Sequence, residues 1–323
     1  MNMVEYQIRD FTQDDEEIIL NLYKIAFGFK LSSEAWKWRY LNGLCKPIVK
    51  LMFDDDKLIG HYAITPMPFS IKGENRKAAQ AITLMVHPEY RKRGIFLKLA
   101  ELTHKIAEEN GIFAVYAFPF RNISARGFFG KLGWCRSDTL KVFSTDDIQN
   151  IKLPNEVNIK EPDFDDAYDV FWNVLKKRFE IIQERSKDML CWRIADCPKL
   201  NNGFYKLMEI RDKSRLLGYL IYKLYKNDKQ VTGHIMEIFG YDSGHIEILL
   251  RAALAYSQLN NVKSVTCWIY DTHSFRFMFE KYGFTMSSTI IPFGGNIFNL
   301  MEGEAMKKCL ESWHVSMIDS DIF

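Results

Sequence analysis

The chain repeats itself, and a repeat of half its length constrains the fold more than any single motif does. Ser124, Arg126, Phe129, Lys131 and Gly133 recur as Ser274, Arg276, Phe279, Lys281 and Gly283, five identities in ten positions at a constant offset of 150. Ile8, Asp14 and Asp15 are answered by Ile159, Asp165 and Asp166, and Trp38-Arg39 by Trp192-Arg193, at nearly the same spacing. Leu58-Ile59-Gly60, behind the acidic turn at Asp54 to Asp56, is matched by Leu216-Leu217-Gly218 behind Arg211 to Lys213, which reads as one hairpin used twice. Self-similarity at a fixed spacing points to one structural unit duplicated. With 323 residues, 47% of them hydrophobic, there is material for two cores, because a single core stops growing near about 250 to 300 residues. The predicted division is residues 1–150 and 151–323, with Pro154 and Asn155 breaking the pattern at the join.

In the first copy an apolar strand through Thr83, Leu84, Met85 and Val86 runs into a turn bearing Arg91, Lys92, Arg93 and Gly94, after which Ile95, Leu97, Leu99, Leu102 and Ile106 recur at helical spacing. The first N–H groups of a helix lack intrahelical partners, and the macrodipole adds positive potential there. Three cations on a short arc, with a glycine that lets the backbone approach a ligand, make such a terminus a cradle for pyrophosphate. The same turn in an ordinary surface helix is only a solvated start, so its neighbourhood decides. A second apolar strand over residues 112–118 stops before Pro119, and residues 122–134 read as an amphipathic helix closed by Gly133.

Arg91-x-x-Gly94-x-Phe96 resembles the Arg/Gln-x-x-Gly-x-Gly/Ala signature of the GNAT superfamily of N-acetyltransferases, from which Phe96 departs. Asn122 and Lys131-Leu132-Gly133-Trp134 resemble the segment that follows the second strand in that superfamily. The resemblance implies an α/β (α+β) fold of two tandem GNAT-like modules, each a mixed, mostly antiparallel central sheet flanked by helices. It implies acetyl-CoA as co-substrate, with Arg91, Lys92, Arg93, Gly94, Ile95 and Phe96 around the pyrophosphate and Asn122 on the pantetheine arm. Backbone N–H groups around Met85 and Val86 would polarise the thioester. Phe129, counted with the cofactor contacts, stands where many members carry a proton-donating tyrosine. The second copy has Asp242 and Glu247 and no Arg or Lys in the matching turn, and Thr272 at the asparagine position. The expectation is one acetyl-CoA per chain, bound by a catalytic first module, and a degenerate second module that completes the substrate cleft.

Acetyl transfer needs a neutral amine, stabilisation of a developing oxyanion and a proton for the departing thiolate. The usual acidic base falls here near Ile82 or Thr83, which do not ionise usefully. Tyr116, His87 and Ser124 are candidates by location, and each also has a plain structural reading as core tyrosine, turn histidine or helix cap. Some double-module relatives place the chain's own carboxylate in the active site, which adds Phe323 at the chain end; Asp319 and Asp321 lie close to it in sequence. Holding the amine against the thioester supplies several kcal/mol by itself, about 7 to 11 in favourable cases, so a strong base is not obligatory.

Forty-three Lys and Arg against 41 Asp and Glu give a net charge of +2 with both signs interspersed. That balance argues against nucleic acid or an anionic membrane as partner. No apolar run reaches the roughly 20 residues of a membrane span and no signal-peptide pattern opens the chain, so a cytoplasmic enzyme is expected. Six cysteines without C-x-x-C spacing suggest reduced thiols and no metal. Core packing is the first reading of Trp36, Trp38, Trp172 and Trp192, although Trp36, Tyr40, Phe69, Phe118 and Phe120 would also suit the wall of a cleft for an amino sugar or other small amine. Two other classes stay open: a non-catalytic GNAT-like binding module, for which Phe96 and Phe129 speak, and a FemA/FemX-like aminoacyl transferase acting on a cell-wall precursor, which would need a basic RNA groove.

Overall fold

The computed structural model describes residues 6–119, 126–148, 151–198, 203–226, 230–270, 273–298 and 304–320. They form two compact units, one from Met1–Phe69, Asn75–Arg136 and Phe293–Leu310, the other from Ser70–Glu74, Ser137–Pro292 and Glu311–Phe323.

The first unit is built on strands β1 (Gln7–Asp10), β2 (Ile48–Asp54), β3 (Lys57–Ile71), β4 (Glu74–Val86), β5 (Ala114–Ala117) and β6 (Cys135–Ser137), with helices α1 (Glu16–Phe27), α2 (Ser33–Tyr40) and α3 (Ile95–Glu109). In the second unit lie β7 (Leu140–Thr145), β8 (Val157–Lys160), β9 (Ile181–Gln183), β10 (Gly203–Asp212), β11 (Arg215–Lys226), β12 (Val231–Gly240), β13 (Ser264–Tyr270) and β14 (Thr285–Ile290), with helices α4 (Ala167–Leu175), α5 (Ser243–Leu259) and α6 (Arg276–Lys281). The chain then returns to the first unit with β15 (Phe293–Ile297) and ends in the second with the short β16 (Trp313–His314).

Two sheets follow the same plan. Their strand orders are β1-β2-β3-β4-β5-β15-β6 and β8-β10-β11-β12-β13-β7-β14. Among the registered pairs of each path, all are antiparallel except one, β4 with β5 in the first and β12 with β13 in the second. A parallel pair needs a helical crossover, and α3 and α5 provide it. The expected mixed, mostly antiparallel sheets flanked by helices are therefore present twice. The repeated hairpins are present too: Asp55 and Lys213 take left-handed φ values of 50° and 54° and turn β2 into β3 and β10 into β11.

The compact units do not follow a cut at residue 150. The sixth strand of each sheet comes from the other sequence copy: β15 pairs with β5, Gly294 opposite Ala117, while β7 pairs with β13, Leu140 opposite Tyr270. The expected helix over 122–134 also differs. Among the described residues that stretch holds one π-helical turn, Arg126–Lys131, ended by left-handed Gly133, whereas its repeat partner is the regular helix α6, ended by left-handed Gly283.

Two clusters bury the first sheet. Ile95, Leu99, Ala100 and Ala107 of α3 pack on Ile59, Tyr62 and Ile64, and on the other side Ile19 and Leu22 of α1 with Trp36 and Tyr40 of α2 pack on Val49, Leu51 and Ala63. In the second unit α5 covers the sheet through Leu249, Leu250, Ala253 and Leu254. Trp36, Trp38, Trp172 and Trp192 are all buried, as core packing requires. No helix among the described residues is long and apolar enough to cross a membrane.

Candidate acyl-transfer site

The parallel pairing of β4 and β5 ends at Gln80 opposite Tyr116, yet β4 runs six residues further, to Val86. On the side away from β3 those residues have no strand partner among the described residues, so the sheet opens into a split with backbone N–H and C=O groups along one wall. Thr83, Leu84 and Val86 are half-buried there, while Met85 is buried in the core. Thr83 has φ 48°, an uncommon conformation for a β-branched residue.

Beyond the split the chain makes the basic turn. Lys92 and Gly94 are both left-handed, with φ 67° and 78°, and α3 begins at Ile95 with no side-chain cap and no acid in its first turn. Arg91, Lys92, Arg93 and Gly94 are exposed, and a Cβ built on Gly94 would meet nothing within 4 Å. An uncapped helix start, open space and cations are what a pyrophosphate needs, so these residues fit the cofactor.

The three cations have different tasks. Arg93 donates to the Tyr6 hydroxyl at 3.0 Å and to the Glu89 carbonyl at 3.1 Å, and its guanidinium lies 4.8 Å from the Tyr90 ring centre. Tyr90 in turn donates to Asp54 at 2.7 Å, and Lys57 reaches Glu89 at 2.9 Å. Arg93 thus braces the turn. Arg91 makes only a 3.5 Å contact to the Ala26 carbonyl, and Lys92 has no hydrogen bond or ion pair among the described residues.

Phe96, the departure from the GNAT signature, is turned into the core. Its ring lies 5.6 Å from Phe128 and 6.3 Å from Tyr62, and a Cβ on Gly127 would come within 2.9 Å of it. The glycine expected at 96 is in effect supplied at 127, and sequence reasoning had no local signal for that exchange. Phe129 packs against the β15 backbone, where a Cβ on Gly294 would be 2.5 Å from the ring.

Tyr116 is 1% exposed, with ring contacts to Phe69 at 5.7 Å and to Phe118 and Phe293 at 6.3 Å, which is the environment of a core tyrosine beside the split. His87 follows β4 and meets Tyr90 edge-on at 5.7 Å; its burial, then Lys57 and Arg91, push its imidazole below the ordinary value, so it is neutral at pH 7. Asn122, Ser124, Phe120, Thr272 and Phe323 lie outside the described residues. Trp36, Tyr40, Phe69 and Phe118 are buried, between 1% and 6% exposed.

The second unit fills the corresponding places with its own groups. Parallel pairing of β12 and β13 ends at His234 opposite Thr266, while β12 continues to Gly240. The start of α5 is capped by Asp242, whose carboxylate accepts from the His245 N–H at 3.0 Å. A carboxylate already stands where a phosphate would. On β12 past the pairing, buried Glu237 accepts from Arg185, which also donates to Asp319 at 2.8 Å. Against the burial that raises it, Arg185 and His314 hold the Glu237 carboxyl below the ordinary range, whereas burial and Glu237 push Asp319 up. Arg193 completes the clamp on this tail, donating to the carbonyls of Ile318 at 3.0 Å and Ser320 at 2.6 Å.

Residues 7–136 match the family model described as acetyltransferase (GNAT) domain. Among solved structures the fold is similar to that of a GCN5-related N-acetyltransferase from Anabaena variabilis, at 16% identity and TM-score 0.69, covering 91% of this chain and 73% of that one. A conserved protein of unknown function from Enterococcus faecalis, described as a probable N-acyltransferase, gives 16% identity and TM-score 0.67 over the same shares. A tandem GNAT protein from the clavulanic acid biosynthesis pathway aligns over 92% of this chain and 100% of its own, at 14% identity and TM-score 0.56. No curated protein matches the chain.

Proposed function

We propose that this chain, whose residues 7–136 match the acetyltransferase (GNAT) domain model and whose fold is similar to that of a tandem GNAT protein, moves an acetyl group from acetyl-CoA to the primary amine of a small acceptor by direct attack. The observation that carries the reading is the contrast between the two helix starts. That of α3 is uncapped, open and cationic, whereas that of α5 is closed by Asp242. One cofactor per chain follows.

Lys92, Arg91 and the first N–H groups of α3 would hold the pyrophosphate, with Arg93 keeping the turn in shape. The cofactor supplies an activated thioester. Backbone N–H groups of β4 beyond the split, from Leu84 to Val86, would face the thioester carbonyl and stabilise charge that develops on it, a task worth about 2.7 to 4 kcal/mol per well-placed donor. Tyr116, in the core contacts of β5, is assigned no proton transfer, and neutral His87 is one described group near the turn able to accept a proton. Positioning therefore supplies most of the barrier reduction.

Titration of acetyl-CoA into the protein by calorimetry tests this directly. One site per chain is expected; absence of binding overturns the acetyltransferase reading and leaves a binding module of another kind.

A further inference from the structure

A buried histidine holds the strained residue in β4. His61 lies on β3, paired across from Leu51 on β2, and is 0% exposed. Its Nδ1 lies 2.8 Å from the carbonyl oxygen of Thr83. A carbonyl only accepts, so Nδ1 carries the hydrogen and the ring is the neutral Nδ1–H tautomer. Burial, opposed by that hydrogen bond, brings the imidazole down to about 4. Nε2 then presents a lone pair that finds no hydrogen-bond partner among the described residues, and the ring lies perpendicular to that of Tyr40 with centres 6.0 Å apart.

The contact reports a distortion. In a regular strand the carbonyls lie in the plane of the sheet, bonded to neighbouring strands, and side chains stand roughly perpendicular to it. A side chain of β3 bonds the Thr83 carbonyl at a residue whose φ is 48°, so this carbonyl departs from the in-plane pattern of a regular strand. The peptide is trans and planar, so turning the carbonyl toward the α1/α2 face turns the Leu84 N–H the opposite way. A left-handed threonine costs roughly 1 to 3 kcal/mol and persists only where its surroundings impose it. His61 is the described side chain bonded to its carbonyl, and an uncharged buried donor with its other nitrogen unused is a costly way to fill an apolar core.

We propose that His61 is a positioning residue for acyl transfer: by holding the Thr83 carbonyl it fixes the N–H of the same peptide, at Leu84, in the direction that polarises the thioester carbonyl. The inference rests on the acetyl-CoA reading above and adds to it a residue from a neighbouring strand that touches no substrate. Stability alone does not call for this arrangement, since an apolar residue at 61 and a relaxed residue at 83 would remove both the orphan nitrogen and the strain.

The test reads the polarisation itself. Acetyl-CoA labelled with ¹³C at the acetyl carbonyl is bound to the protein, and the thioester carbonyl band is recorded by isotope-edited infrared difference spectroscopy. In the unsubstituted protein the band is expected at lower wavenumber than in free acetyl-CoA. His61→Leu should return it to the free position while calorimetry gives an unchanged affinity, because the cradle at Arg91 to Ile95 is intact. His61→Asn keeps a donor near the place of Nδ1 and should preserve the shift. If the leucine variant does not fold, His61→Gln, whose amide lies one bond further out, should fold and lose the shift. A shift that survives in folded His61→Leu or His61→Gln overturns the proposal alone. No bound band in the unsubstituted protein overturns the acetyl-CoA reading, and this inference with it.

Discussion

At the scale of single residues, the basic turn separates binding from scaffolding. Arg93 spends its hydrogen bonds on Tyr6 and Glu89, whereas Lys92 keeps its ammonium in solvent. Lys92→Ala is therefore expected to weaken acetyl-CoA binding by about 1.5 to 3 kcal/mol, the value of a hydrogen bond to a charged group, with an unchanged melting temperature. Arg93→Ala should lower both, and calorimetry beside thermal unfolding distinguishes the two. An equal loss of affinity with no loss of stability in both variants would refute the division of tasks. A second pair tests the exchange of glycine and phenylalanine. Gly127→Ala drives a methyl into the Phe96 ring and should cost about 1 to 3 kcal/mol of overpacking. The same change in a Phe96→Ala background should cost much less, since residues in contact are coupled in a double-mutant cycle. Additive penalties in denaturant unfolding would show that the 2.9 Å approach is easily relaxed.

At the scale of elements, what the sequence revealed and what it concealed divide by whether the cause is local. The hairpins at Asp55 and Lys213, the basic turn before α3 and the left-handed Gly133 are set by a few adjacent residues, and all were legible. The exchange of β7 and β15 was not, because which sheet a strand joins is decided by partners far away in sequence, β13 for β7 and β5 for β15. Nor did any periodicity mark His61, a lone histidine in an apolar strand, or Thr83, whose strain exists only once β3 and β4 are paired. The exchange has a consequence for folding. A fragment of residues 1–150 lacks β15, so β5 loses its antiparallel partner and the Gly294 to Ile297 register goes unmade, while Leu140–Thr145 is left without β13. Unpaired inner strands are aggregation-prone edges. The fragment should show no cooperative unfolding transition in solution, and a fragment that unfolds cooperatively as a monomer would mean that β15 contributes little to the first sheet.

For the whole molecule, both units bury neutral histidines, and this fixes the sign of the pH response. Burial lowers His61 and His104 to about 4 in the first unit, His234 to about 4 and His273 to about 3 in the second, against an ordinary 6.5. Between those values the unfolded chain binds protons that the folded chain refuses, so stability is full above pH 6.5 and falls as the pH drops toward 4. Each imidazole contributes at most about 3 kcal/mol to the loss over that range, at about 1.4 kcal/mol for every tenfold difference in proton affinity between the folded and unfolded chain. The carboxyls held low by Arg9 on Asp15 and by Arg211 on Glu209 act in the same direction at still lower pH. Denaturant unfolding across pH 4 to 8 should therefore show a midpoint that declines steadily below pH 6.5. Among the described residues the His104 ring has its hydrogen-bond contact with the Tyr62 hydroxyl, at 2.9 Å, and packs on Trp134, so it can be isolated from the rest. His104→Gln, which keeps a polar partner for Tyr62 and has nothing to titrate, should flatten the decline by up to about 3 kcal/mol between pH 6.5 and 4. An unchanged slope in that variant would place the acid sensitivity elsewhere, and the cluster of Arg185, Glu237 and Asp319 in the second unit is the next place to look.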